Sequence, residues 1–278
     1  MSERPFTLVY ILGTGHCGST LLTLLLNSHS RMLGLSALRK LDTVIAHGTG
    51  DYGPNPLDGE MWQRIQARFE QRSGTRFKDL DIHHPGWRTF VRWNRAQLEQ
   101  WARPSRDLMS AIVDISGRDY LIDSSKAWQQ LYLLQRSKLV QIKVLHALRD
   151  GRGVFHSYNR KYNKFGFAFG QWAKPTIAAV GMRQLFDRAD WLEVRYEQLA
   201  SAPEETLGEI CDFLGVAYEP GMLRFRSQPW FGILGNRMAH DGNEAIRLDE
   251  KWKRDLDRRN RLLFELIGGP LNRYYGYH

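Results

Sequence analysis

A glycine-rich stretch near the start of the chain carries the residue types that bind anions. The segment LVYILGTGHCGSTLLTLLLNSHS runs from Leu8 to Ser30, and its glycines stand between an apolar run and a leucine-rich run. This pattern predicts a strand, a loop and a helix. Backbone N–H groups at such a helix start bind phosphate or sulfate groups, so the segment predicts an anion-binding loop.

Three known anion-binding patterns fit this loop only in part. Gly13, Gly15 and Gly18 satisfy the dinucleotide fingerprint GxGxxG, but the residues that follow predict no clear second strand before Asp42, where that fold needs one. The nucleotide pattern GxxxxGK is not matched, because Ser19 stands where the pattern has its lysine. The loss of that cation favours a 5′ group less charged than a triphosphate. A cysteine-phosphatase loop is excluded because the sixth residue after the cysteine is a threonine. The cysteine itself is interpreted as a small loop residue that faces away from the ligand.

Three distant segments, taken in order with the loop, indicate one family. LIDSSKAWQQLYLL places Lys126 before a predicted helix, and LHALRDGRGVFHSY places Arg149 at a strand end with Ser157 eight residues later. EVRYEQLASAPEETLGEICDFLGVAYEPGM places Tyr196 after a further strand. Together they resemble the sulfotransferases that use 3′-phosphoadenosine-5′-phosphosulfate (PAPS). The resemblance covers most of the chain outside residues 46–116, and it implies an α/β fold in which helices flank a parallel sheet, the P-loop-like sulfotransferase fold.

The resemblance also implies a role for each matching residue. Arg149 and Ser157 match the 3′-phosphate ligands, and Tyr196 matches a residue near the nucleotide. His16 and Lys126 match the two cations that assist sulfuryl transfer, although His16 could simply hydrogen-bond the loop, Lys126 could be a surface lysine and Tyr196 a core residue. The loop residues implied to hold the 5′-phosphosulfate are Gly15, His16, Cys17, Gly18, Ser19 and Thr20. The segment implied to cover the cofactor contributes Asn236, Arg237 and Arg247.

The expected general base is missing from this sequence. Many members of the family have a glutamate soon after the first helix, and this chain has Ala37 at that position. Three interpretations stay open: another side chain acts as the base (His29, Asp42 or His47), the acceptor needs no base, or a glutamate has been replaced by mutation. A positioned base contributes about 10²–10⁴ in rate, so the first and third predict very different activities.

The pattern of elements predicts one domain over residues 1–278, with a helical insertion at about 46–116. Repeated strand–helix alternation is typical of a parallel sheet with helices on both faces. The insertion is rich in tryptophan, and we expect some of these side chains to cover the acceptor pocket and others to form its core: Trp62, Trp87, Trp93 and Trp101. Further on, a helix is predicted with Ser201 as its cap and Pro203 in its first turn.

Composition limits the possible partners. The net charge is +9 and the sequence pI about 9.6, which suits a polyanionic partner. Two cysteines predict no disulfide framework and fit a reducing cytoplasm, and no segment predicts a membrane span or a metal site. The leading hypothesis is a cytoplasmic enzyme that moves a sulfuryl group from PAPS to a hydroxyl or amine of a small molecule, without metal or nucleic acid. The alternatives are an NAD(P) oxidoreductase and a basic nucleic-acid-binding protein; the acceptor and the oligomeric state stay open.

Overall fold

A parallel sheet lies at the centre of the computed structural model, which describes residues 4–49, 55–226, 228–233 and 245–278. The strands among these residues are β1 Thr7–Gly13, β2 Met32–Ser36, β3 Tyr120–Asp123, β4 Gln141–Leu148 and β5 Trp191–Arg195. Their order is β2-β3-β1-β4-β5, and all neighbouring pairs are parallel. The predicted α/β class is therefore confirmed.

Helices cover both faces of this sheet. The described helices are α1 Ser19–Asn27, α2 Leu41–His47, α3 Glu60–Ser73, α4 Trp87–Phe90, α5 Arg95–Ser116, α6 Trp128–Ser137, α7 Gly151–Tyr162, α8 Phe165–Arg183, α9 Tyr196–Ser201, α10 Pro203–Leu214, α11 Trp252–Asp255 and α12 Arg258–Tyr274. Alternate residues of β1 belong to different core clusters: Leu8 and Tyr10 to one, Val9 and Ile11 to the other. Because successive strand residues point to opposite faces, β1 is buried between two helical layers.

The expectation of no strand before Asp42 is wrong. Strand β2 lies there, at the edge of the sheet, and pairs with β3. Its central Gly34 interrupts the apolar pattern, and a side chain at that position would meet Asn27 and Thr23 at 3.1 Å. The sheet order also contradicts a dinucleotide-binding domain, because in that fold the second strand lies beside the first, whereas β3 lies beside β1 here.

The described part of residues 46–116 is mainly helical. Trp62 is buried and donates its indole N–H to the carbonyl oxygen of Phe231 at 3.1 Å, whereas Trp87 is 52% exposed. Trp93 and Trp101 pack against a small core cluster of this region. Trp62 therefore belongs to the core. The division into one domain with an insertion, and the coverage of an acceptor pocket, stay predictions.

Ser201 does not cap the helix that was predicted to follow it. The chain passes directly from β5 into the short helix α9, and the Ser201 hydroxyl at its end donates to the carbonyl oxygen of Glu197 at 2.7 Å. Helix α10 begins at Pro203, which needs no N–H partner in a first turn, and its cap position is Ala202. Among the residues that the structure describes, every helix is too short or too polar to cross a lipid bilayer.

Candidate functional site

The carboxyl edge of the sheet brings the predicted site residues together. Three residues at or just after strand ends there have left-handed backbone conformations without being glycine: Ser36, which ends β2, and His16 and Lys126, which follow β1 and β3, each with φ of 60°. The other two such residues in the described chain, Lys138 and Asn163, are ordinary helix C-caps. Backbone strain of this kind concentrates at functional sites, and ligands of open α/β sheets bind at this edge.

The loop after β1 leaves the start of α1 open to an anion. Gly18 is the cap residue with φ of 84°, and within the described chain no side chain caps the first N–H groups and no acidic residue stands in the first turn. Side chains pack closely around the loop glycines. An added Cβ would lie 1.9 Å from the Tyr158 hydroxyl oxygen at Gly15 and 2.5 Å from the Tyr196 ring at Gly18. The uncapped N–H groups can therefore donate to a phosphate or sulfate.

Lys126 joins the end of β3 to this loop. Its Nζ donates to the hydroxyl oxygen of Ser19 and to the carbonyl oxygen of Ser124, both at 3.0 Å. Burial lowers the pKa of this ammonium. The contact spans 107 residues of sequence and places a cation at the start of α1. Cys17, by contrast, is buried in the apolar cluster beneath the loop, as expected of a residue that faces away from a ligand.

Arg149 connects the loop to the C-terminal part of the chain. Its guanidinium donates to the carbonyl oxygens of His16 at 2.8 Å and Asp249 at 2.7 Å, and lies 4.5 Å from the centre of the Tyr196 ring. The Tyr196 hydroxyl donates to the carbonyl oxygen of Arg247 at 3.2 Å and accepts from the Asp249 N–H at 2.9 Å. Four of the residues named from the sequence thus form one group. Arg149 already donates to two carbonyls, so a 3′-phosphate has to share or replace these bonds.

Two further predictions for the donor side have mixed outcomes. The Ser157 hydroxyl donates within α7 to the carbonyl oxygen of Gly153 at 2.9 Å. The His16 ring lies edge-on to Tyr158, with ring centres 4.6 Å apart. Partial desolvation lowers the pKa of His16, as do the nearby cations, Arg149 first among them, so without an anion the ring favours the neutral form. Asn236 and Arg237 lie outside the described residues.

A buried carboxylate that the sequence reasoning missed lies at the end of β3. Asp123 Oδ1 accepts from the Ser125 N–H at 2.8 Å, from the Ser125 hydroxyl at 2.5 Å and from the Leu38 N–H at 3.3 Å. Its Oδ2 is buried without a hydrogen-bond partner among the described residues. Burial raises the pKa of Asp123 to about 6. The available signal was an aspartate that ends an otherwise apolar strand.

Position 37 lies beside this carboxylate. Ala37 is half-buried and follows Ser36, whose carbonyl oxygen accepts from the Ser124 N–H at 2.7 Å. It therefore shares an edge with the segment that ends in Lys126. His29 does not: it precedes β2, at the opposite edge, and its Nε2 lies 3.0 Å from the carbonyl oxygen of Ala217. The structure thus removes His29 from the candidate bases.

Two histidines of the helical region lie near Asp42, another of the candidate bases. Asp42 Oδ2 is 3.9 Å from His83 Nδ1, and the His83 ring stacks on His84 with centres 5.5 Å apart. Burial lowers the pKa of His84, and the charge of Arg39 acts in the same direction. Arg39 in turn donates to the carbonyl oxygen of Ser125 at 3.1 Å, which connects this group to the end of β3. His47 is exposed at the end of α2. The described chain holds no cluster of three or more metal-ligating side chains.

Comparisons with known proteins bear on the family and the fold of the chain. Residues 9–220 match the profile of the Sulfotransferase family, whereas no curated protein sequence matches the chain. The sulfotransferase domain of the Synechococcus PCC 7002 olefin synthase is similar in structure, with a TM-score of 0.61, 18% identity, and 100% of this chain and 97% of that chain covered. The sulfotransferase domain of the curacin biosynthetic pathway has a TM-score of 0.56 and 18% identity, with 96% of this chain and 99% of that chain covered. Sulfotransferase STF9 of Mycobacterium avium has a TM-score of 0.54 and 12% identity, with 99% of this chain and 78% of that chain covered.

Proposed function

The chain belongs to the sulfotransferase family and has the P-loop-like sulfotransferase fold, and we propose that it transfers a sulfuryl group from PAPS to a hydroxyl or amine of a small molecule. The product from the donor is adenosine 3′,5′-bisphosphate. The observation that carries the proposal is the pairing of an uncapped helix start with Lys126, whose Nζ lies 3.0 Å from the Ser19 hydroxyl oxygen. A phosphosulfate fits such a place because backbone N–H groups and a fixed cation both favour anionic oxygens.

Some residues of the site bind the donor, and others assist the transfer. The N–H groups at Gly18, Ser19 and Thr20 orient the phosphosulfate. Lys126 stabilises the oxygen that gains charge as the bond between sulfur and the bridging oxygen breaks, and it does so most where that charge develops. Arg149 acts at the other end of the nucleotide, where a guanidinium suits the doubly charged 3′-phosphate.

The acceptor has to lose a proton as its oxygen or nitrogen bonds to sulfur. The side chain of Ala37 cannot take that proton, although position 37 lies at the same sheet edge as Lys126. His84, held neutral by its lowered pKa, is in the protonation state that a base requires. We therefore expect slow transfer by this chain, with His84 or Asp42 supplying what base catalysis there is.

The transfer assay that tests this proposal uses radiolabelled PAPS and a panel of phenols, alcohols and amines. Lys126→Met is compared with Lys138→Met, since both lysines have left-handed backbones but Lys138 lies at the C-cap of α6. We expect label transfer by the wild type and by the Lys138 variant, and a loss of about 10²-fold or more for Lys126→Met. Equal transfer by both variants would show that the chemistry does not use this site.

The two rival functions have less support. The sheet order opposes a dinucleotide-binding domain, as described above. The net charge of +9 suits nucleic acid, but the cations at the site, Arg149 and Lys126, both contact the loop and helix start that follow β1 rather than lying along a surface stripe. Both cysteines are buried and free, which fits the proposal of an enzyme that acts in a reducing cytoplasm.

A further inference from the structure

Helix α12 is held firmly against the rest of the molecule by its inner side. The Phe264 ring packs against Trp172 with ring centres 4.8 Å apart, and a Cβ added at Gly268 would lie 2.8 Å from the same indole. Asn272 is buried, and its Oδ1 accepts from the Gly151 N–H at 2.8 Å. The outer side of α12 is therefore a fixed feature of the surface.

The outer side of α12 is apolar where a surface helix is usually polar. The exposed residues of this helix are Arg258, Arg259, Leu262, Leu266, Ile267, Pro270, Arg273 and Tyr274. Five of these eight are apolar and none is acidic, and Leu266 is 79% exposed. Four of the apolar residues, from Leu262 to Tyr274, recur every fourth position and so lie along one side of the helix. A continuous exposed apolar row of this kind marks an interaction surface.

The remaining exposed residues of α12 make the same side positive. Arg273 lies 4.0 Å from Glu265, the one acidic residue of the helix, which also pairs with Arg152 at 3.0 Å. At the helix cap, Asp257 accepts from the Asn260 N–H at 2.9 Å. One carboxylate on this helix therefore stands against four arginines. A partner that fits this side has to accept apolar side chains and supply negative charge.

A second copy of this chain supplies no such charge. An antiparallel two-fold contact centred on Leu266 would set Arg259 of one copy against Arg273 of the other, since each lies seven residues from the centre. A parallel two-fold contact would set each arginine against its own copy. Like charges opposite each other oppose association.

An anionic lipid surface supplies both properties. Apolar side chains of a helix that lies in the membrane plane enter the boundary between headgroups and acyl chains, while arginines extend to the lipid phosphates. Tyrosine is a common residue at this depth, and Tyr274 is 67% exposed. The apolar side chains form a ridge along the outside of one helix, and a fluid surface adapts to a ridge, whereas a protein partner would need a matching groove.

We propose that the outer side of α12 is a membrane-contact face that binds anionic lipid surfaces, with the helix axis parallel to the bilayer plane. Leu262, Leu266 and Ile267 enter between the headgroups, and Arg259 and Arg273 contact lipid phosphates. The contact is peripheral and reversible. This inference goes beyond the proposed function and does not depend on it.

The test is co-sedimentation of the whole chain with vesicles of two compositions. One contains phosphatidylcholine alone, and the other contains phosphatidylcholine and phosphatidylglycerol in equal parts. We expect the wild type to bind the mixed vesicles about tenfold or more tightly than the neutral ones, because each arginine near an anionic surface adds to the attraction. The preference should decrease as salt is added.

One pair of variants tests the apolar contacts. Leu266→Gln with Ile267→Gln should weaken binding to the mixed vesicles by about tenfold or more, because two apolar side chains no longer leave water. Trp87→Gln with Val91→Gln is the matched control, since these side chains are 52% and 47% exposed in the helical region of residues 46–116. The control should bind as the wild type does. Urea unfolding should be similar for all of these variants, because every substituted side chain is exposed.

A second pair of variants tests the charge. Arg259→Gln with Arg273→Gln should reduce the preference for mixed over neutral vesicles by about fivefold or more. Arg88→Gln with Arg92→Gln removes two exposed arginines from the control region and should leave the preference unchanged. The net charge of the protein is the same in both double variants, so a difference between them reports the position of the charges.

The inference is overturned if the wild type does not sediment with the mixed vesicles, or if the Leu266 and Ile267 variant binds them as tightly as the wild type. It is also overturned if both arginine variants lose the preference equally, because the net charge of +9 would then account for the binding. Light scattering without lipid tests the remaining occupant. A wild-type dimer that becomes a monomer in the Leu266 and Ile267 variant would assign the face to a second copy and would also overturn the inference.

Discussion

The two sides of the site differ in how the polar side chains at their strand ends are hydrogen-bonded. On the donor side, after β1, β4 and β5, Arg149 and Tyr196 donate to backbone carbonyls at 2.7–3.2 Å. On the acceptor side, after β2 and β3, the carboxylate of Asp123 is buried with one oxygen unpartnered among the described residues, and an alanine stands at position 37. Arg149 and Tyr196 are thus held by several hydrogen bonds, whereas the acceptor side has a buried carboxylate oxygen without a partner in the described chain and no basic side chain at position 37.

This difference follows from what each side has to recognise. A donor with two anionic ends requires N–H groups, a cation at each end and glycines in the loop, and these leave recognisable spacing in the sequence. An acceptor of unknown shape requires a pocket and one proton acceptor, which any of several side chains can supply. The acceptor side can therefore change without altering the donor side.

The largest effect should come from restoring a carboxylate on the acceptor side. Ala37→Glu should raise the rate of transfer to the best acceptor by about 10²–10⁴, because a base then faces the incoming hydroxyl. Ala37→Gln is the matched control, with the same length and no basic group. Affinity for adenosine 3′,5′-bisphosphate should stay the same in both variants. If the glutamate and glutamine variants turn over equally slowly, the base lies elsewhere, and His84→Ala and Asp42→Ala become the next variants to assay.

On the donor side, Arg149→Ala should weaken the binding of adenosine 3′,5′-bisphosphate by roughly 1.5–3 kcal/mol, because a charge-assisted pair is lost. Adenosine 5′-monophosphate, which lacks the 3′-phosphate, should bind both forms with similar affinity. Arg149→Lys should recover only part of the loss because an ammonium cannot present a planar fork. Calorimetric titrations of both nucleotides measure these differences, and an equal loss for both nucleotides would assign Arg149 to loop structure rather than to the 3′-phosphate.

The buried carboxylate of Asp123 should make the stability of the protein depend on pH. Its pKa is raised from 3.8 to about 6 in the folded chain. The protonated carboxyl therefore contributes fully to the free energy of unfolding below the pKa of the unfolded chain, and this contribution is lost as the pH rises through about 6. Asp123→Asn keeps an acceptor for Leu38 and Ser125 but cannot ionise. Between pH 4 and pH 7.5, the free energy of unfolding of the variant should rise by on the order of 2–3 kcal/mol relative to that of the wild type. Parallel pH dependence of urea unfolding for the two proteins would contradict the burial of an ionised Asp123.

The smallest expected effect concerns the pH dependence of donor binding. The pKa of His16 is lowered in the free chain, and an anion beside it should raise that pKa, so binding takes up a proton and strengthens as pH falls from 8 toward 6. The nucleotide phosphate also titrates near pH 6, so the informative quantity is the difference between the wild type and His16→Ala. This difference should be at most about tenfold per pH unit, and His16→Arg should show no such contribution. Identical pH profiles for all three would make His16 only a loop residue.

The sequence predicted the positions of donor-side residues more readily than those of the acceptor side, for physical reasons. Arg149 and Tyr196 follow strands with clear apolar periodicity, so their meeting at one edge was predictable. Strand β2 was missed because Gly34 breaks its pattern, although the glycine is there to admit Asn27 and Thr23. The role of Asp123 depends on pairing with Leu38, 85 residues away, which no local pattern reveals.

Local reasoning also failed where tertiary packing set the chemistry. Ser201 has the residue type of a helix cap, but α9 extends through it and uses its hydroxyl. His16 stands where the family has a cation, but the sequence left open whether its ring carries charge or only hydrogen-bonds the loop. The folded chain places Arg149, Arg160 and Lys161 near it, and their charges oppose protonation until an anion binds. Such effects depend on the sum of neighbours in space, which spacing along the chain does not determine.

We propose that the loop after β1 and the arginine after β4 together hold a nucleotide with a 3′-phosphate. The most direct measurement is a calorimetric competition on the wild type among adenosine 3′,5′-bisphosphate, adenosine 5′-monophosphate and NAD. We expect one site that prefers the bisphosphate over the monophosphate by about tenfold or more, with no detectable binding of NAD. Equal affinity for the two adenosine nucleotides, or tighter binding of NAD, would contradict this proposal.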